Sequence, residues 1–266
     1  MSLFHAKIEP FCALTIDLGP QYVERVFDSI LTRQGDNDLF RMKSEDRFAG
    51  YLEYLNRQVR QSNRHKYCFI QFYCAYFSQQ LAIKSGKNGN ERQHLWEKAL
   101  FYYQVYLELA DHSTESKYYA HWQSGLLQDA LQYPWSQAEI SLLKAASIDP
   151  LRGEALKKLV LHYCQESAWK IAYGCSTLAI QKFFDKNPVG KRRWFVDFEA
   201  YNWSLLYTHF TICYKLGLLQ EAEQVYRQMH GYIFQHPDEL TDADIHQIQS
   251  LHRLFHPAKS KMHTAP

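Results

Sequence analysis

A chain of 266 residues, 46% of them apolar and 15% aromatic, can fill a sizeable core in one or two domains, which excludes a disordered chain. Its 30 Lys and Arg nearly balance its 28 Asp and Glu, and the net charge of +2 predicts no general attraction to nucleic acid or membranes. No apolar run approaches about 18 residues, and no charged leader precedes an apolar core, so we expect neither a membrane span nor a secretion signal.

Apolar residues recur every three to four positions through almost the whole chain, which predicts an all-α protein. A strand-like alternation occurs only at residues 11–16. Asp149 and Pro150 have the residue types of a helix N-cap and of a first helical position. The expected helices span residues 20–33, 45–61, 66–84, 92–110, 115–131, 135–147, 151–165, 168–184, 199–216, 218–234 and 241–254.

The six cysteines are dispersed, without C-x-x-C spacing, and most lie among aromatic residues in predicted helices. A thiol in such a setting behaves as a small hydrophobe. This cysteine usage is typical of a reducing compartment, so we expect a cytoplasmic protein. The cysteines are Cys12, Cys68, Cys74, Cys164, Cys175 and Cys213.

Four predicted hairpins each place a small residue shortly after an aromatic residue or leucine: Ala99, Ala138, Ala172 and Ala222. Successive alanines are 39, 34 and 50 residues apart, close to the period of about 34 that is typical of helix-turn-helix repeats, with two insertions. Two helices approach closely only where a side chain is small, and an aromatic one turn later, Tyr102 or Tyr226, would fill the next gap. A single such hairpin cannot bury both its faces, so several must stack.

These stretches resemble tetratricopeptide repeats, and the best match is YKLGLLQEAEQVY at residues 214–226. The resemblance implies an α-solenoid of about five stacked helical hairpins over residues 45–235. Residues 1–44 are then an unassigned N-terminal helical segment, and 236–266 a C-terminal capping helix with a flexible tail.

The segments KAASIDPLRGEALKKLVLHYC, AWKIAYGCSTLAI and WFVDFEAYNWSLLYTHFTICYKLG are similar, in this order, to the helical repeat region that follows the catalytic domain in some bacterial family 2 glycosyltransferases. Such a transferase needs an α/β domain with an acidic metal motif, and none is predicted here. Asp36 and Asp38 have D-x-D spacing but are expected in a polar turn. The resemblance therefore implies the scaffold and not the activity. The matching residues are Arg152, Tyr163, Phe195, Val196, Asp197, Tyr201 and Trp203.

No arrangement of residues predicts catalysis, a cofactor or a metal site. On a helix, His252 and His256 would share one face, as zinc ligands do, but Pro257 follows at once and no further ligand is near in sequence. His162 and His209 fall on inner helix faces, where a hydrogen-bonded core histidine is more usual than a catalytic base. We therefore expect a protein that is not an enzyme.

In tetratricopeptide arrays the first helix of each hairpin lines a concave groove that contacts a peptide or partner helix. The resemblance places seven residues on that surface as partner-binding candidates, and the alternative is that they are ordinary solvated positions. They are Glu154, Lys157, Leu161, Tyr207, Thr211, Tyr214 and Lys215.

A secondary candidate is the basic-aromatic loop of Lys191, Arg192, Arg193 and Trp194, which could grip phosphate, a carboxylate or single-stranded nucleic acid, or could be a plain surface loop. The expected partner is a protein or peptide, and there is no strong nucleic-acid signal. The alternative function is an accessory module of a glycosyltransferase system, with glycan stacked on Trp194 or Trp203. Most other aromatics are expected in the core, among them Tyr67, Phe69, Phe72, Tyr73, Tyr76 and Phe77.

Overall fold

The structure is a computed structural model that describes residues 48–53, 55, 64–84, 89–109, 114–183, 196–201, 203–235 and 240–251. These residues form helices and short connections, and they contain no strand. The prediction of an all-α fold is confirmed. Residues 48–53 and 55 are helical. The helices that follow them are α1 (Arg64–Lys84), α2 (Gly89–Glu108), α3 (Thr114–Ala130), α4 (Trp135–Ile148), α5 (Glu154–Gln165), α6 (Trp169–Phe183), α7 (Trp203–Lys215), α8 (Leu219–Gln235) and α9 (Asp242–Ser250), with a 3-10 turn at Phe198–Tyr201.

Neighbouring helices pack in pairs, and four hairpins follow one another in the described chain: α1 with α2, α3 with α4, α5 with α6, and α7 with α8. The contacts divide the chain into two compact units, one containing α1–α4 and the other α5–α9. Within the first unit α2 also packs on α3, and within the second α6 packs on α7 and α8 on α9. Each unit is therefore a stack of helical hairpins, as the sequence predicted.

Three of the hairpins turn in the same way. The second residue after α3, α5 and α7 has a positive φ, of 59° at Gln132, 56° at Ser167 and 75° at Gly217. The next residue then donates its N–H to a carbonyl five positions back, over 2.9 Å from Tyr133, 2.8 Å from Ala168 and 2.9 Å from Leu218. This is the Schellman arrangement that ends helices, and it satisfies carbonyls that the helix leaves unpaired.

The four repeat alanines lie where the predicted pattern requires them. Ala99, Ala138, Ala172 and Ala222 are all completely buried. Helices α3 and α4 approach so closely that a methyl group on Gly125 would lie 2.7 Å from Leu142 Cγ and 3.1 Å from the Ala138 carbonyl oxygen. Small side chains therefore set the spacing of these helices.

The core of the α1–α4 unit is mainly aromatic. Phe72 lies with its ring centroid 5.2 Å from that of Tyr106 and 6.0 Å from that of Tyr103, in edge-to-face contacts. The buried phenols have polar partners, since Tyr106 donates to Ser116 Oγ over 2.6 Å and Tyr103 donates to Gln79 Oε1 over 3.3 Å. The predicted core positions Phe72, Tyr73, Tyr76 and Phe77 are buried, whereas the side chains of Tyr67 and Phe69 lie outside the described residues.

The α5–α9 unit has a more aliphatic core. One cluster joins Val160, Ala172 and Ile212, from three successive helices. A second cluster joins α7, α8 and α9 through Leu206, Phe210, Ala222, Val225, Tyr226, Met229 and Ile248. Helix α9 begins with a capping box, in which Thr241 Oγ1 accepts from the N–H of Asp244 and the Asp244 carboxylate accepts from the N–H of Thr241.

Two local predictions were wrong. Asp149 does not start a helix, because it ends α4 and donates its N–H to the Ala145 carbonyl, and α5 begins only at Glu154. In α2 the fully buried aromatic after the alanine is Tyr103, while Tyr102 is half-buried. Tyr103 follows Ala99 by four residues, as Tyr226 follows Ala222, because positions four apart share a helix face.

Candidate functional site

The predicted partner-binding residues on α5 have different surroundings. Glu154 is 2% exposed, so its carboxylate does not lie on an open surface as predicted. Lys157 is half-buried and its Nζ lies 3.3 Å from Asp197 Oδ2, which makes an ion pair. Leu161 is 40% exposed, as a contact residue must be.

Glu154 belongs instead to a buried polar network at the start of α5. Arg152 donates to both of its carboxylate oxygens, over 2.7 and 3.2 Å, and both side chains are fully buried. The Tyr201 hydroxyl donates to Glu154 Oε2 over 2.9 Å and accepts from the N–H of Gly153 over 2.9 Å. The 3-10 turn is thus held against α5 by residues that carried the resemblance to the glycosyltransferase repeat region. These residues are Arg152, Asp197 and Tyr201.

The predicted residues on α7 form a partly exposed aromatic face. Tyr207, Phe210 and Tyr214 are stacked, with ring centroids 6.5 and 6.3 Å apart in the two successive pairs. Tyr214 is 43% exposed. Thr211 is half-buried and donates its hydroxyl to the Tyr207 carbonyl over 2.9 Å. Lys215 is exposed, with Nζ 6.0 Å from the centre of the Trp169 ring.

Several other sequence candidates fall outside the described residues. These are the basic-aromatic loop Lys191, Arg192, Arg193 and Trp194, and also Asp36, Asp38, His252 and His256. Trp203 is described: it is half-buried and packs edge-on against Tyr207, with ring centroids 5.9 Å apart.

The structure also brings together a polar cluster where α7 meets α6 and α8, which the sequence reasoning missed. His209 and Cys213 of α7 meet Glu221 of α8, and one potential ligand atom from each lies within 4.8 Å of the other two. His209 Nε2 is 3.2 Å from Glu221 Oε1 and 3.5 Å from Cys213 Sγ. Such atoms could hold one metal ion between them.

Two residues of α6 position this cluster from the other side. Ser176 Oγ lies 2.8 Å from His209 Nδ1. The Tyr173 hydroxyl donates to the two carboxylate oxygens of Glu221 over 2.8 and 3.1 Å, and its ring is stacked on the His209 ring at 5.6 Å. Helices α6, α7 and α8 therefore each contribute polar groups to one point within a single unit.

Burial controls the ionisation of the cluster. It lowers the pKa of His209, and the Glu221 carboxylate opposes that shift only in part, so the imidazole is neutral near pH 7. Burial raises the pKa of Cys213 to about 12, with a further contribution from the Glu221 carboxylate. The hydrogen bond to Glu221 raises the pKa of Tyr173. The contact between His209 and Glu221 is accordingly a hydrogen bond rather than an ion pair.

The sequence did hold a signal for this cluster. His209 and Cys213 are four residues apart, which places both side chains on one face of a helix. Glu221 follows after the turn at Gly217, in the first turn of α8. A short hairpin turn brings the two helix ends together, but the sequence alone does not fix which α8 residue faces inward.

Hairpin stacks with a turn geometry repeated three times in the described chain define its class as an all-α helical-hairpin protein. No protein-family model matches the chain, and no curated protein matches it significantly. Among the described helices, none combines the length and the apolar character that crossing a membrane requires.

Proposed function

We propose that the chain is a non-enzymatic tetratricopeptide-like scaffold that binds a protein or peptide segment along the face carried by α5 and α7. The observation that carries the proposal is the stacked row Tyr207, Phe210 and Tyr214, which leaves Tyr214 43% exposed beside the exposed Lys215. Tyrosine supplies flat contact area with a polar tip, and lysine supplies a charge that attracts acidic side chains or a terminal carboxylate.

The repeated turn supports the tetratricopeptide-like part of the proposal. The positive-φ turn position recurs at intervals of 35 and 50 residues, at Gln132, Ser167 and Gly217. A buried alanine follows each of these positions after five or six residues: Ala138, Ala172 and Ala222. This recurrence within one chain is typical of repeat architectures, in which the first helix of each hairpin contacts the partner.

Selection from a phage-displayed library of random peptides tests the proposal. The binding face should enrich acidic peptides that also carry apolar residues, and the affinity should fall as salt rises, because exposed charge contacts are screened. Tyr214→Ala together with Lys215→Ala should reduce the affinity about tenfold or more, because exposed aromatic contacts often dominate binding.

A matched control is available on the other unit. Tyr133 is 41% exposed, close to the exposure of Tyr214, so Tyr133→Ala removes a similar side chain from the α1–α4 unit. This variant should bind the selected peptides as the wild type does. Equal loss in both variants, or no enrichment of peptides, would contradict the proposed face. Enrichment of glycans on an array, lost in Trp203→Ala, would instead support the accessory glycosyltransferase module.

A further inference from the structure

The cluster of His209, Cys213 and Glu221 has the composition of a transition-metal site. A thiolate, an imidazole and a carboxylate are the protein ligands of zinc, and a site of three such ligands keeps a fourth position open. We propose that His209, Cys213 and Glu221 bind one divalent zinc-type ion. The inference does not depend on the partner-binding proposal, since it uses different side chains.

The spacing of the ligand atoms fits a single tetrahedral ion. From the usual zinc bond lengths, a tetrahedral ion holds nitrogen and oxygen ligands about 3.4 Å apart, and nitrogen and sulfur ligands about 3.6 Å apart. The corresponding separations here are 3.2 Å for His209 Nε2 to Glu221 Oε1 and 3.5 Å for His209 Nε2 to Cys213 Sγ. The third separation, between sulfur and carboxylate, is within 4.8 Å and can close by rotation of the partly exposed Glu221 side chain.

The neighbouring hydrogen bonds can present the correct face of the imidazole to an ion. Ser176 Oγ donates to the Tyr173 carbonyl over 3.0 Å, which leaves its lone pairs to accept from His209 Nδ1–H at 2.8 Å. In that tautomer Nε2 carries the lone pair and points at Cys213 and Glu221. The ion-free protein holds the other tautomer, in which Nε2–H donates to Glu221 over 3.2 Å, and ion binding shifts this proton to Nδ1. Metal-binding histidines are commonly fixed in this way, with the other ring nitrogen as a donor.

The same arrangement orients the carboxylate. The Tyr173 hydroxyl donates to Glu221 over 2.8 Å at Oε2 and 3.1 Å at Oε1. Hydrogen bonds from such surrounding groups hold a ligand carboxylate in place before the ion arrives. Tyr173 and Ser176 are therefore positioning residues, and neither contacts the ion.

The overall charge also suits a buried position. A thiolate and a carboxylate together neutralise a divalent ion, while the imidazole stays neutral, so the filled site carries no net charge and avoids most of the penalty for burying charge. The soft sulfur ligand and the nitrogen ligand favour zinc, cobalt or copper over magnesium and calcium, which take oxygen ligands.

An entry path lies at Glu221. Its side chain is 33% exposed, whereas that of His209 is only 4% exposed. A surface cavity of about 610 Å³ is lined by Glu221 together with Gly217, Leu218, Gln224 and Arg227. An ion could enter from this side, and a water molecule from the cavity could supply the fourth ligand.

Cobalt titration of the full chain, after treatment with a chelator, tests the site because a thiolate–cobalt contact gives a charge-transfer band in the near ultraviolet. We expect one equivalent of Co²⁺ to produce this band and one equivalent of Zn²⁺ to abolish it. Cys213→Ser should remove the band, and Glu221→Gln should weaken Zn²⁺ binding at least about 100-fold, because losing a ligand costs more than losing a supporting hydrogen bond.

Matched controls lie close by. Cys164→Ser changes another thiol of the same unit, and Glu223→Gln changes another carboxylate on the lining of the cavity. Both variants should keep the band and the Zn²⁺ affinity of the wild type. Tyr173→Phe should lower the Zn²⁺ affinity about 10- to 100-fold while the band keeps its shape, since the ligands remain.

The proposal is overturned if the wild-type chain gives no thiolate–cobalt band, or if Cys213→Ser retains it. It is also overturned if Glu221→Gln and Glu223→Gln bind Zn²⁺ equally well. Circular dichroism of each variant shows whether it folds. Both Cys213→Ser and Glu221→Gln preserve side-chain shape, so the helices should be retained.

Discussion

At the scale of single residues, Arg152 and Glu154 form a fully buried ion pair in the α5–α9 unit. Both side chains are fully buried, and two hydrogen bonds join them. Such a pair is not strong evidence for added stability, because desolvation offsets much of the attraction. Its main consequence is that removing either side chain leaves the charge of the other buried without its ionic partner, which destabilises the fold.

Replacing Arg152 with methionine should therefore destabilise the fold strongly. The Glu154 carboxylate would remain buried without its guanidinium, which typically costs about 3–5 kcal/mol. The measurement is the free energy of unfolding from urea titration. The double variant Arg152→Met, Glu154→Gln should lose less than the sum of the two single variants, because it leaves no unpaired buried charge. Additive losses would show that the two side chains are not coupled.

Gly125 provides a second test at the residue scale. An added methyl group would lie 2.7 Å from Leu142 Cγ and 2.8 Å from Leu142 Cδ2, and Leu142 is fully buried. We expect Gly125→Ala to destabilise by about 1–3 kcal/mol, because overpacking forces side chains or backbone to shift.

The matched control is Gly174→Ala, because Gly174 is also helical but has no other group within 4 Å of an added methyl. This change should stabilise by about 0.5–1 kcal/mol, since alanine favours helix over glycine. Thermal denaturation of the two variants measures the difference. Equal melting shifts of the same sign would contradict the close approach of α3 and α4.

At the scale of elements, the three repeated turns place different residue types in one backbone conformation. Gly217 suits its positive φ of 75°, whereas Gln132 and Ser167 have positive φ values of 59° and 56° with a side chain present. A side chain in this left-handed region costs about 1 kcal/mol. The sequence thus uses glycine at only one of the three equivalent positions.

Ser167→Gly and Gln132→Gly should each stabilise the protein by about 0.5–1 kcal/mol, and Gly217→Ala should destabilise it by about 1 kcal/mol. The midpoint of urea unfolding gives the sign of each change. Glu166→Gly is the control, because Glu166 has a φ of −75° and gains nothing from glycine. If Ser167→Gly and Glu166→Gly shift the midpoint equally, backbone strain at the turn is not the cause.

At the scale of the whole molecule, buried titratable groups limit the pH range of stability. Burial, with Lys144 and Lys117 nearby, lowers the pKa of His121 from 6.5 to about 4. Unfolded chains bind this proton more readily, so stability is lost as pH falls from 6.5 toward 4. Burial raises the pKa of Cys74 from 9.0 to about 12, so unfolded chains ionise first and stability is lost as pH rises from 9 toward 12.

We therefore expect maximal stability between about pH 6.5 and pH 9, measured as the urea midpoint across this range and beyond it on both sides. His121→Gln should reduce the decline on the acid side, because it removes a group that binds protons only when the chain unfolds. His94 is exposed on α2, so His94→Gln should leave the decline unchanged. If the urea midpoint declines equally below pH 6.5 in both variants, His121 is not the cause of the decline.

Residue spacing along the chain was enough to predict the helical class, the order of the hairpins and the buried alanines. Helical periodicity is a local property, and the breakers at the turns are local too, so Ala99, Ala138, Ala172 and Ala222 could be identified by comparing segments. The same reasoning placed His209 on an inner face, because that face is set by spacing along one helix.

Which helix faces meet could not be predicted from spacing and follows from the packed fold. Glu154 was predicted on the surface but is the buried partner of Arg152. The prediction failed because the guanidinium of Arg152 lies two residues away in a non-helical segment, where helical spacing does not apply. The packed fold also brought Glu221 to His209 and Cys213, which requires the rotation of α8 relative to α7 as well as their order. Helix order follows from local sequence, whereas relative rotation follows from packing many side chains at once, and the candidate site depends on that rotation.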